Sequence, residues 1–318
     1  MQRKMVCSLR VITTLLSFLS LTFSCGKPTQ THSLRTPALN LNESGDDAIL
    51  DYQIGPTWDK SEVTGRLLTD ENPALLKTAQ ATAKLTVMFS TGTGFVVGEK
   101  DGQVMLATNH HVIEDQKFCD ETKVTFEILN LRRLHCDKVI VTDTELDLTL
   151  FTVKGLSRDD REKLIATALP LSKLGPKKGQ NLLTLGYGFA GNDAGNLMLD
   201  QGEDCKTYSS DGEMRFMADP DVVNPGPYKT WLFAAGCDVS HGDSGSAIVD
   251  RDTGEVVGIL STGKIPKIAS VRSRDFLQRI FDGNTEDVWS ELTYVVPFSK
   301  ILESYNSVLS KNAGIHPK

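Results

Sequence analysis

The chain has 318 residues, of which 40% are hydrophobic and 24% are charged, and its formal net charge at pH 7 is -7. This length is enough to bury a sizeable core in one large domain or two small ones. An acidic chain without a cluster of Lys and Arg lacks the basic surface that binds nucleic acid, so we expect no nucleic-acid partner.

The first 24 residues are typical of a secretory signal peptide. Three basic residues, Arg3, Lys4 and Arg10, precede an apolar run from Val11 to Phe23. This run is long enough for the hydrophobic core of a signal peptide and short for a membrane span. The next residues, Ser24-Cys25-Gly26, resemble a bacterial lipoprotein cleavage site, where Cys25 would become the lipidated amino terminus. We therefore predict an extracytoplasmic protein that is either an outer-membrane lipoprotein or secreted, with membrane contact only through a lipid at Cys25.

Four cysteines remain when Cys7 and Cys25 are set aside. They are Cys119, Cys136, Cys205 and Cys237. An even number in an exported chain predicts two disulfides, and the order along the chain favours pairing the first two and the last two among three possible connectivities. The cysteines and histidines lack the Cys-x-x-Cys or His-x-x-x-His spacing of a metal site, so we expect no metal.

Secondary-structure patterns divide the rest of the chain into segments. Residues 25–60 are polar and rich in Pro, Ser and Thr, which predicts a flexible tether. Short β-prone runs separated by turn residues then predict an all-β fold. These runs lie at 85–89, 94–97, 103–108, 124–129, 138–142, 148–153, 181–187, 197–201, 205–209, 230–235, 246–249 and 256–262. A polar break at 157–163 predicts two β-units, 61–163 and 164–296, and helical spacing after Pro297 predicts a helix over 297–312.

The pentapeptide Gly242-Asp243-Ser244-Gly245-Ser246 offers a candidate nucleophile. The small neighbours let a substrate carbonyl approach Ser244 Oγ, and they leave the N–H groups of Gly242 and Ser244 to form an oxyanion hole. Glycine- and serine-rich turns are common, so the motif by itself leaves a purely structural turn open. A catalytic role requires a general base and a carboxylate elsewhere in the chain.

The predicted strand 103–108 runs into Asn109-His110-His111-Val112, which suits a general base. A histidine just past the end of a core strand is held rigidly and still faces outward. The other histidines lie near the chain ends, beside a cysteine or beside the candidate nucleophile; they are His32, His316, His135 and His241. His110 and His111 therefore remain as candidates.

Asp147 is the favoured carboxylate, because it stands directly before the apolar strand 148–153. Such an acid accepts a hydrogen bond from the far imidazole nitrogen, fixes the tautomer and stabilises the imidazolium. Asp143 and Glu145 are close competitors in more polar surroundings.

These motifs resemble, in the same order, the three signatures of the chymotrypsin family of serine proteases. The histidine signature corresponds to 106–112, and its base is the histidine before a small apolar residue, which selects His111. The resemblance covers roughly 85–310 and implies a triad of His111, Asp147 and Ser244 that works through an acyl-enzyme without a cofactor. It also implies two six-stranded antiparallel β-barrels with a C-terminal α-helix and the site in the cleft between the barrels.

The resemblance implies substrate-binding residues as well. Ser261, Thr262 and Gly263 resemble the segment whose backbone pairs with an extended peptide, although a plain core strand is the alternative. Asp238 falls where trypsin-like members carry the acid that selects Lys or Arg beside the scissile bond. The alternative is a buried carboxylate that caps backbone N–H groups.

Asp243 resembles the acid that, in digestive members of the family, pairs with a newly cut N-terminal amine. The chain contains no Ile-Val-Gly-Gly start. Cleavage after Arg66, which would expose Leu67-Leu68, is one route to such an amine, and constitutive activity is the simpler alternative.

The sequence therefore predicts an exported, trypsin-like serine endopeptidase that acts on proteins or peptides, with a basic preference if Asp238 lines the pocket. One rival is a non-proteolytic binding or scaffold protein of the same fold, which the presence of all three triad residues disfavours. The other is an esterase with the same triad. It is disfavoured because Ser246 stands where the Gly-x-Ser-x-Gly elbow has glycine.

Overall fold

The structure is a computed structural model that describes residues 49–69, 73–88, 90–189, 195–220, 226–263, 268–283 and 285–309. The predicted signal peptide and Cys25 lie outside the described residues. Within the described ranges, no helix combines the length and the apolar character that a bilayer span requires.

Strands dominate the described residues. They are β1 (Ser61–Glu62), β2 (Thr82–Val87), β3 (Ser90–Lys100), β4 (Gln103–Thr108), β5 (Thr122–Phe126), β6 (Leu131–Asp143), β7 (Leu148–Lys154), β8 (Leu182–Gly186), β9 (Met198–Asp200), β10 (Arg215–Met217), β11 (Thr230–Ala235), β12 (Ala247–Asp250), β13 (Val256–Gly263) and β14 (Thr293–Pro297). The α-helices are α1 (Gly65–Thr69), α2 (Pro73–Ala81), α3 (Gln116–Asp120), α4 (Arg158–Ala166), α5 (Arg274–Gly283) and α6 (Phe298–Leu309).

Strands β2 to β7 form a closed barrel in the order β2-β3-β4-β7-β6-β5, with antiparallel neighbours. The alternation along β5 explains its two faces, because Thr122, Val124 and Phe126 are buried while Lys123, between Thr122 and Val124, is exposed. The tight connection from β3 to β4 places Asp101 and Gly102 at positive φ, the conformation of a two-residue hairpin turn. The first predicted barrel is thus present.

The register of this barrel brings the predicted base and its carboxylate together. Strands β4 and β7 are neighbours, and Thr108 at the end of β4 pairs with Thr149 near the start of β7. His111 follows Thr108 by three residues, and Asp147 precedes Thr149 by two. Both side chains therefore emerge at the same end of the barrel.

The second half differs from the predicted six-stranded barrel. It forms an eight-stranded sheet in the order β1-β9-β8-β12-β13-β14-β11-β10, because two short strands, β1 and β10, extend its edges. The stretch 205–208 forms isolated antiparallel bridges on both sides, from Lys206 to Asn181 and from Thr207 to Ala235. It thus lies between the start of β8 and the end of β11.

The stretch 49–60, which the sequence assigns to the flexible tether, is packed against the second half. Ile54 is 2% exposed and Lys60 is 8% exposed. The following strand β1 pairs with β9 through Ser61 and Leu199. This segment therefore belongs to the folded body of the protein.

The structure contains two disulfides, Cys119–Cys136 and Cys205–Cys237, which are the pairs that the cysteine order favours. The first joins α3 to β6. The second ties the bridging stretch to the residue directly before Asp238. Helix α6 follows β14, buries Phe298 and Ile301, and is kinked at Tyr305.

Candidate active site

The imidazole of His111 lies against the carboxylate of Asp147. His111 Nδ1 is 2.9 Å from Asp147 Oδ2 and 3.1 Å from Asp147 Oδ1, and the backbone N–H of His111 also donates to Oδ1 at 3.1 Å. Asp147 is 8% exposed, whereas 38% of the His111 side chain remains exposed. With Nδ1 on the carboxylate, Nε2 is the nitrogen that is left for proton transfer.

The rivals of these two residues have other partners. His110 Nδ1 lies 2.6 Å from Thr142 Oγ1. Asp143 accepts a hydrogen bond from the Tyr305 hydroxyl at 2.7 Å, and Glu145 is exposed. Among the three acids that the sequence left open, the one that contacts His111 is therefore Asp147.

Two further side chains hold Asp147. Ser261 Oγ donates to Asp147 Oδ2 at 2.7 Å, and the buried amide of Asn109 donates to the Asp147 backbone carbonyl at 3.1 Å. Asp147 has a φ of 37°, a conformation that a side chain other than glycine adopts at a cost, and these bonds help to maintain it.

The surroundings shift the pKa of His111 and the pKa of Asp147. Burial by itself lowers the pKa of His111, but the charge and hydrogen bond of Asp147, with smaller contributions from Asp219 and Glu114, outweigh it and raise that pKa. Burial raises the pKa of Asp147, and the charge of His111 with hydrogen bonds from His111 and Ser261 outweighs it, so the pKa of Asp147 is lowered. The pair is thus suited to an imidazolium that forms beside an ionised carboxylate.

The turn that carries Ser244 is fastened to the first barrel by Thr93. The N–H of Thr93 donates to the Ser244 carbonyl at 2.8 Å, and Thr93 Oγ1 donates to the Gly242 carbonyl at 2.8 Å. Gly245 has a φ of 88° and packs against the Thr93 carbonyl and Thr108 Oγ1 so closely that a Cβ would clash with both. Only glycine fits there, because a side chain would push the turn away from the barrel.

The proposed oxyanion donors have no acceptor within the described residues, since neither the Gly242 N–H nor the Ser244 N–H forms a hydrogen bond there. The His241 carbonyl accepts from the Phe189 N–H at 2.9 Å, which fixes the peptide between His241 and Gly242. In a trans peptide the C=O and N–H point in opposite directions, so the Gly242 N–H points away from Phe189.

Between these donors, Asp243 turns into the protein interior. Asp243 Oδ2 lies 2.5 Å from Lys60 Nζ and accepts from the Ser240 N–H at 2.8 Å. Asp243 Oδ1 accepts from the Gly188 N–H at 3.0 Å. Lys60 and Asp243 keep 3% and 2% of their side-chain surface exposed, so the ion pair is almost fully buried.

Asp238 also faces the stretch 49–60, which we call the upstream segment. Its carboxylate accepts from the backbone N–H groups of Ile54 and Asp59, both at 2.8 Å, and its own N–H donates to Asp200 Oδ2 at 2.6 Å. Burial, and then the like charge of Asp200, raise the pKa of Asp238. These contacts favour the backbone-capping role that the sequence left as the alternative to a specificity acid.

The residues of β13 reach both halves of the site. Ser261 binds Asp147, while the neighbouring Leu260 carbonyl accepts from the Gly245 N–H at 2.9 Å. Pairing with β12 ends at Ile259, whereas pairing with β14 continues to Gly263. Within the described residues, His111 and Ser244 Oγ form no hydrogen bond, a contact that often tightens only when substrate binds.

Three contributors were not singled out from the sequence: Lys60, Thr93 and Asn109. Lys60 stands in a polar, proline-containing stretch without periodicity, so its pattern carries no sign of burial. Thr93 is a β-branched residue directly before the predicted run 94–97, so its type indicates a strand and no contact with a distant turn. Asn109 adjoins the two candidate histidines, and a polar residue directly after a buried strand was the one signal available.

Several solved structures are similar to this chain. Crystal structures of the Rv3671c protease share 18% identity with the chain. The match to the inactive form covers 78% of this chain and 98% of the crystallised chain. The match to the active form, from M. tuberculosis, covers 81% of this chain and 91% of the crystallised chain, and both have a TM-score of 0.49. The crystal structure of Deg5 shares 12% identity with the chain and has a TM-score of 0.45. The match covers 79% of this chain and 99% of the Deg5 chain.

No curated protein matches the chain in sequence. The model of the trypsin-like peptidase domain matches residues 92–259, just over half of the chain. That range includes His111, Asp147 and Ser244. The chain therefore belongs to the trypsin-like peptidase family and is a serine protease.

Proposed function

We propose that the protein is an exported serine endopeptidase in which Ser244 is the nucleophile, His111 the general base and Asp147 the carboxylate that orients it. The observation that carries the proposal is the buried Asp147 carboxylate at 2.9 Å from His111 Nδ1. This bond selects the tautomer in which Nε2 accepts a proton, and it stabilises the imidazolium that results.

In the first step, Ser244 Oγ attacks the peptide carbonyl carbon while its proton passes to His111 Nε2. The carbonyl oxygen gains negative charge and receives hydrogen bonds from the N–H groups of Gly242 and Ser244. The C–N bond then breaks, the leaving amine takes the proton from His111, and the acyl group stays on Ser244. Water, deprotonated by His111, then attacks the acyl carbon. The bond from this carbon to Ser244 Oγ breaks, and His111 returns the proton to Ser244 Oγ.

The proposal assigns the substrate backbone to the edge of β13 at Ser261, Thr262 and Gly263. This stretch continues beyond the last residue paired with β12, and its first residue contacts Asp147. An extended peptide added there would run past Ser244, as in other cases of strand addition. Proteins and peptides are therefore the proposed substrates.

We propose that Asp238 caps backbone N–H groups and does not select Lys or Arg beside the scissile bond. Both of its carboxylate oxygens accept backbone N–H groups of the upstream segment, which leaves this acid without the role that selects Lys or Arg. Asp238→Asn should leave the cleavage preference unchanged in a peptide library. A loss of cleavage after Lys or Arg in that variant would restore the specificity role.

The proposal also includes two barrels of chymotrypsin type, the second completed by the stretch 205–208, and export from the cytoplasm. Two disulfides in the structure are typical of an oxidising compartment and support export. Intact mass of protein purified from its native membranes would show a cut before Cys25 with added lipid. A mature chain without lipid would favour secretion instead.

Labelling with a fluorophosphonate, followed by cleavage of a peptide library, tests the enzyme assignment. We expect the natural chain to label and to cleave, and Ser244→Ala to do neither. Ser246→Ala is the matched control, because it makes the same change two residues away at a buried hydroxyl that has no hydrogen-bond partner within the described residues.

Each outcome separates the rival functions. Equal labelling of the natural chain and Ser244→Ala would exclude Ser244 as nucleophile. Labelling without cleavage of any peptide, together with hydrolysis of simple esters, would favour the esterase. A folded natural chain that neither labels nor cleaves would favour the binding or scaffold protein.

A further inference from the structure

The buried ion pair between Lys60 and Asp243 joins the upstream segment to the turn 242–246, which we call the nucleophile turn. The two charged atoms lie 2.5 Å apart, and the residues are separated by 183 positions in the sequence. Burying a charge is costly unless the charge is paired, and removal of one partner of such a pair strands the other. The orientation of Asp243 toward the interior therefore depends on Lys60.

Asp243 is placed where its orientation decides the geometry of the oxyanion donors. It lies between Gly242 and Ser244, and its carboxylate also accepts from the N–H groups of Ser240 and Gly188. These bonds draw the middle of the turn inward. The flanking N–H groups of Gly242 and Ser244 are left without acceptors among the described residues.

The segment around Lys60 is fixed on both sides. Before it, the N–H groups of Ile54 and Asp59 donate to the Asp238 carboxylate. After it, Ser61 pairs with Leu199 in the ladder between β1 and β9. Lys60 therefore reaches Asp243 from a position that the backbone fixes on both sides.

We propose that Lys60 is a positioning residue that supplies, from within the intact chain, the buried cation that orders the oxyanion hole. This inference rests on the proposed function, because it concerns the donors that the peptidase mechanism uses. It follows that catalysis requires no new amino terminus, whether formed by a cut after Arg66 or elsewhere upstream. Lys60 is part of the mature active site.

The first test compares Lys60→Met with the natural chain in the full-length protein. We expect kcat per titrated active site to fall by roughly 10²–10³, the loss seen when an oxyanion donor is removed, with a much smaller change in KM. Lys60→Arg keeps the charge and should retain more activity than Lys60→Met. Lys154→Met, which removes a surface ion pair with Asp137, is the control and should match the natural chain.

The second test separates positioning from general stability. A peptide aldehyde forms a hemiacetal with Ser244, and its oxygen needs the oxyanion donors. We expect Lys60→Met to weaken aldehyde binding by a factor similar to its loss in kcat/KM, and to change binding of the corresponding peptide alcohol little. Lys60→Met with Asp243→Asn should be more active than Lys60→Met alone, because the side chain at 243 is then no longer a buried charge without its cation.

The third test concerns activation. Arg66→Gln should be as active as the natural chain, and amino-terminal sequencing of active protein should find Lys60 still attached. Activity that appears only after a cut downstream of Lys60 would overturn the proposal, as would an unchanged kcat per titrated site in Lys60→Met. If the natural chain cleaves no peptide while Ser244→Ala behaves identically, the proposed function fails, and this inference fails with it.

Discussion

The His111–Asp147 half of the site and the Ser244 half differ in where their supports come from. His111 and Asp147 are 36 residues apart and are brought together by two neighbouring strands of one closed barrel. The Ser244 turn is held by Thr93, 149 residues before Gly242, and through Asp243 by Lys60, 183 residues before it. One half is thus built by local strand pairing, and the other by contacts across the chain.

This difference predicts how each half responds to change. A substitution in the first half acts on the reacting groups themselves, because their positions are set by the barrel ladder. In the second half, we expect residues that never touch substrate to control the proposed oxyanion donors, because Gly242 to Ser244 lie outside the strands.

The largest effect is expected in the locally built half. Asp147→Asn removes the carboxylate that orients His111 and should lower kcat by roughly 10⁴, because the amide stabilises the wrong tautomer. Steady-state hydrolysis of a peptide substrate measures this loss. The matched control is Asp143→Asn, a nearby acid that contacts Tyr305, and its loss should stay below about tenfold. A larger loss in the control would reopen the choice of acid.

A smaller effect is expected where the two halves meet. Thr93→Val keeps the β-branched shape but removes the hydrogen bond to the Gly242 carbonyl and the one accepted from the Tyr187 N–H. We expect kcat to fall by about 10- to 100-fold, since a small displacement of the donors is costly. Thr91→Val on the same strand is the control. Identical rates for both variants would show that the Thr93 hydroxyl does not position the turn.

The hydrogen bond from Ser261 to Asp147 should matter less. Ser261→Ala leaves the carboxylate in place and removes one donor, so we expect a loss of about 2- to 10-fold in kcat/KM. In the Asp147→Asn background the same change should cost almost nothing, because its partner is already altered. A double-mutant cycle measures this coupling, and full additivity would place Ser261 outside the pair.

The pH profile gives the smallest and most specific effect. A general base must be neutral, so with His111 in the proposed role we expect activity to rise with pH as His111 loses its proton. Because the pKa of His111 is raised, the half-point of the acid limb of kcat/KM should lie above 6.5. Asp147→Asn removes the main charge that raises it, so the residual activity should have its half-point at lower pH. A limb below 6.5 in the natural chain would contradict the geometry.

The same contrast explains what could be predicted from the sequence. The all-β character followed from short β-prone runs and turn residues, whereas the closed barrel and the pairing of His111 with Asp147 were implied by the resemblance to the chymotrypsin family. Asp238 was open between two roles because its residue type fits both. Its partners, Ile54 and Asp59, lie 184 and 179 residues away. No local pattern contains such a contact.

Lys60 was missed for the same physical reason. A lysine in a polar stretch predicts a solvated side chain, since burying it is favourable only if a carboxylate waits at the right place. That place is created by β8, β9 and the nucleophile turn, all more than a hundred residues downstream. The edge strands β1 and β10 were likewise too short to give a periodic signal.

The contact between Lys60 and Asp243 also bears on the order in which the site forms. Lys60 is made 183 residues before Asp243, and closing so long a loop is costly before the intervening strands have assembled. We therefore expect a chain that is still being synthesised or threaded through a membrane to pair the strands beside His111 and Asp147 before it forms this contact. Peptide-bond cleavage should then be the last property that the folding protein acquires.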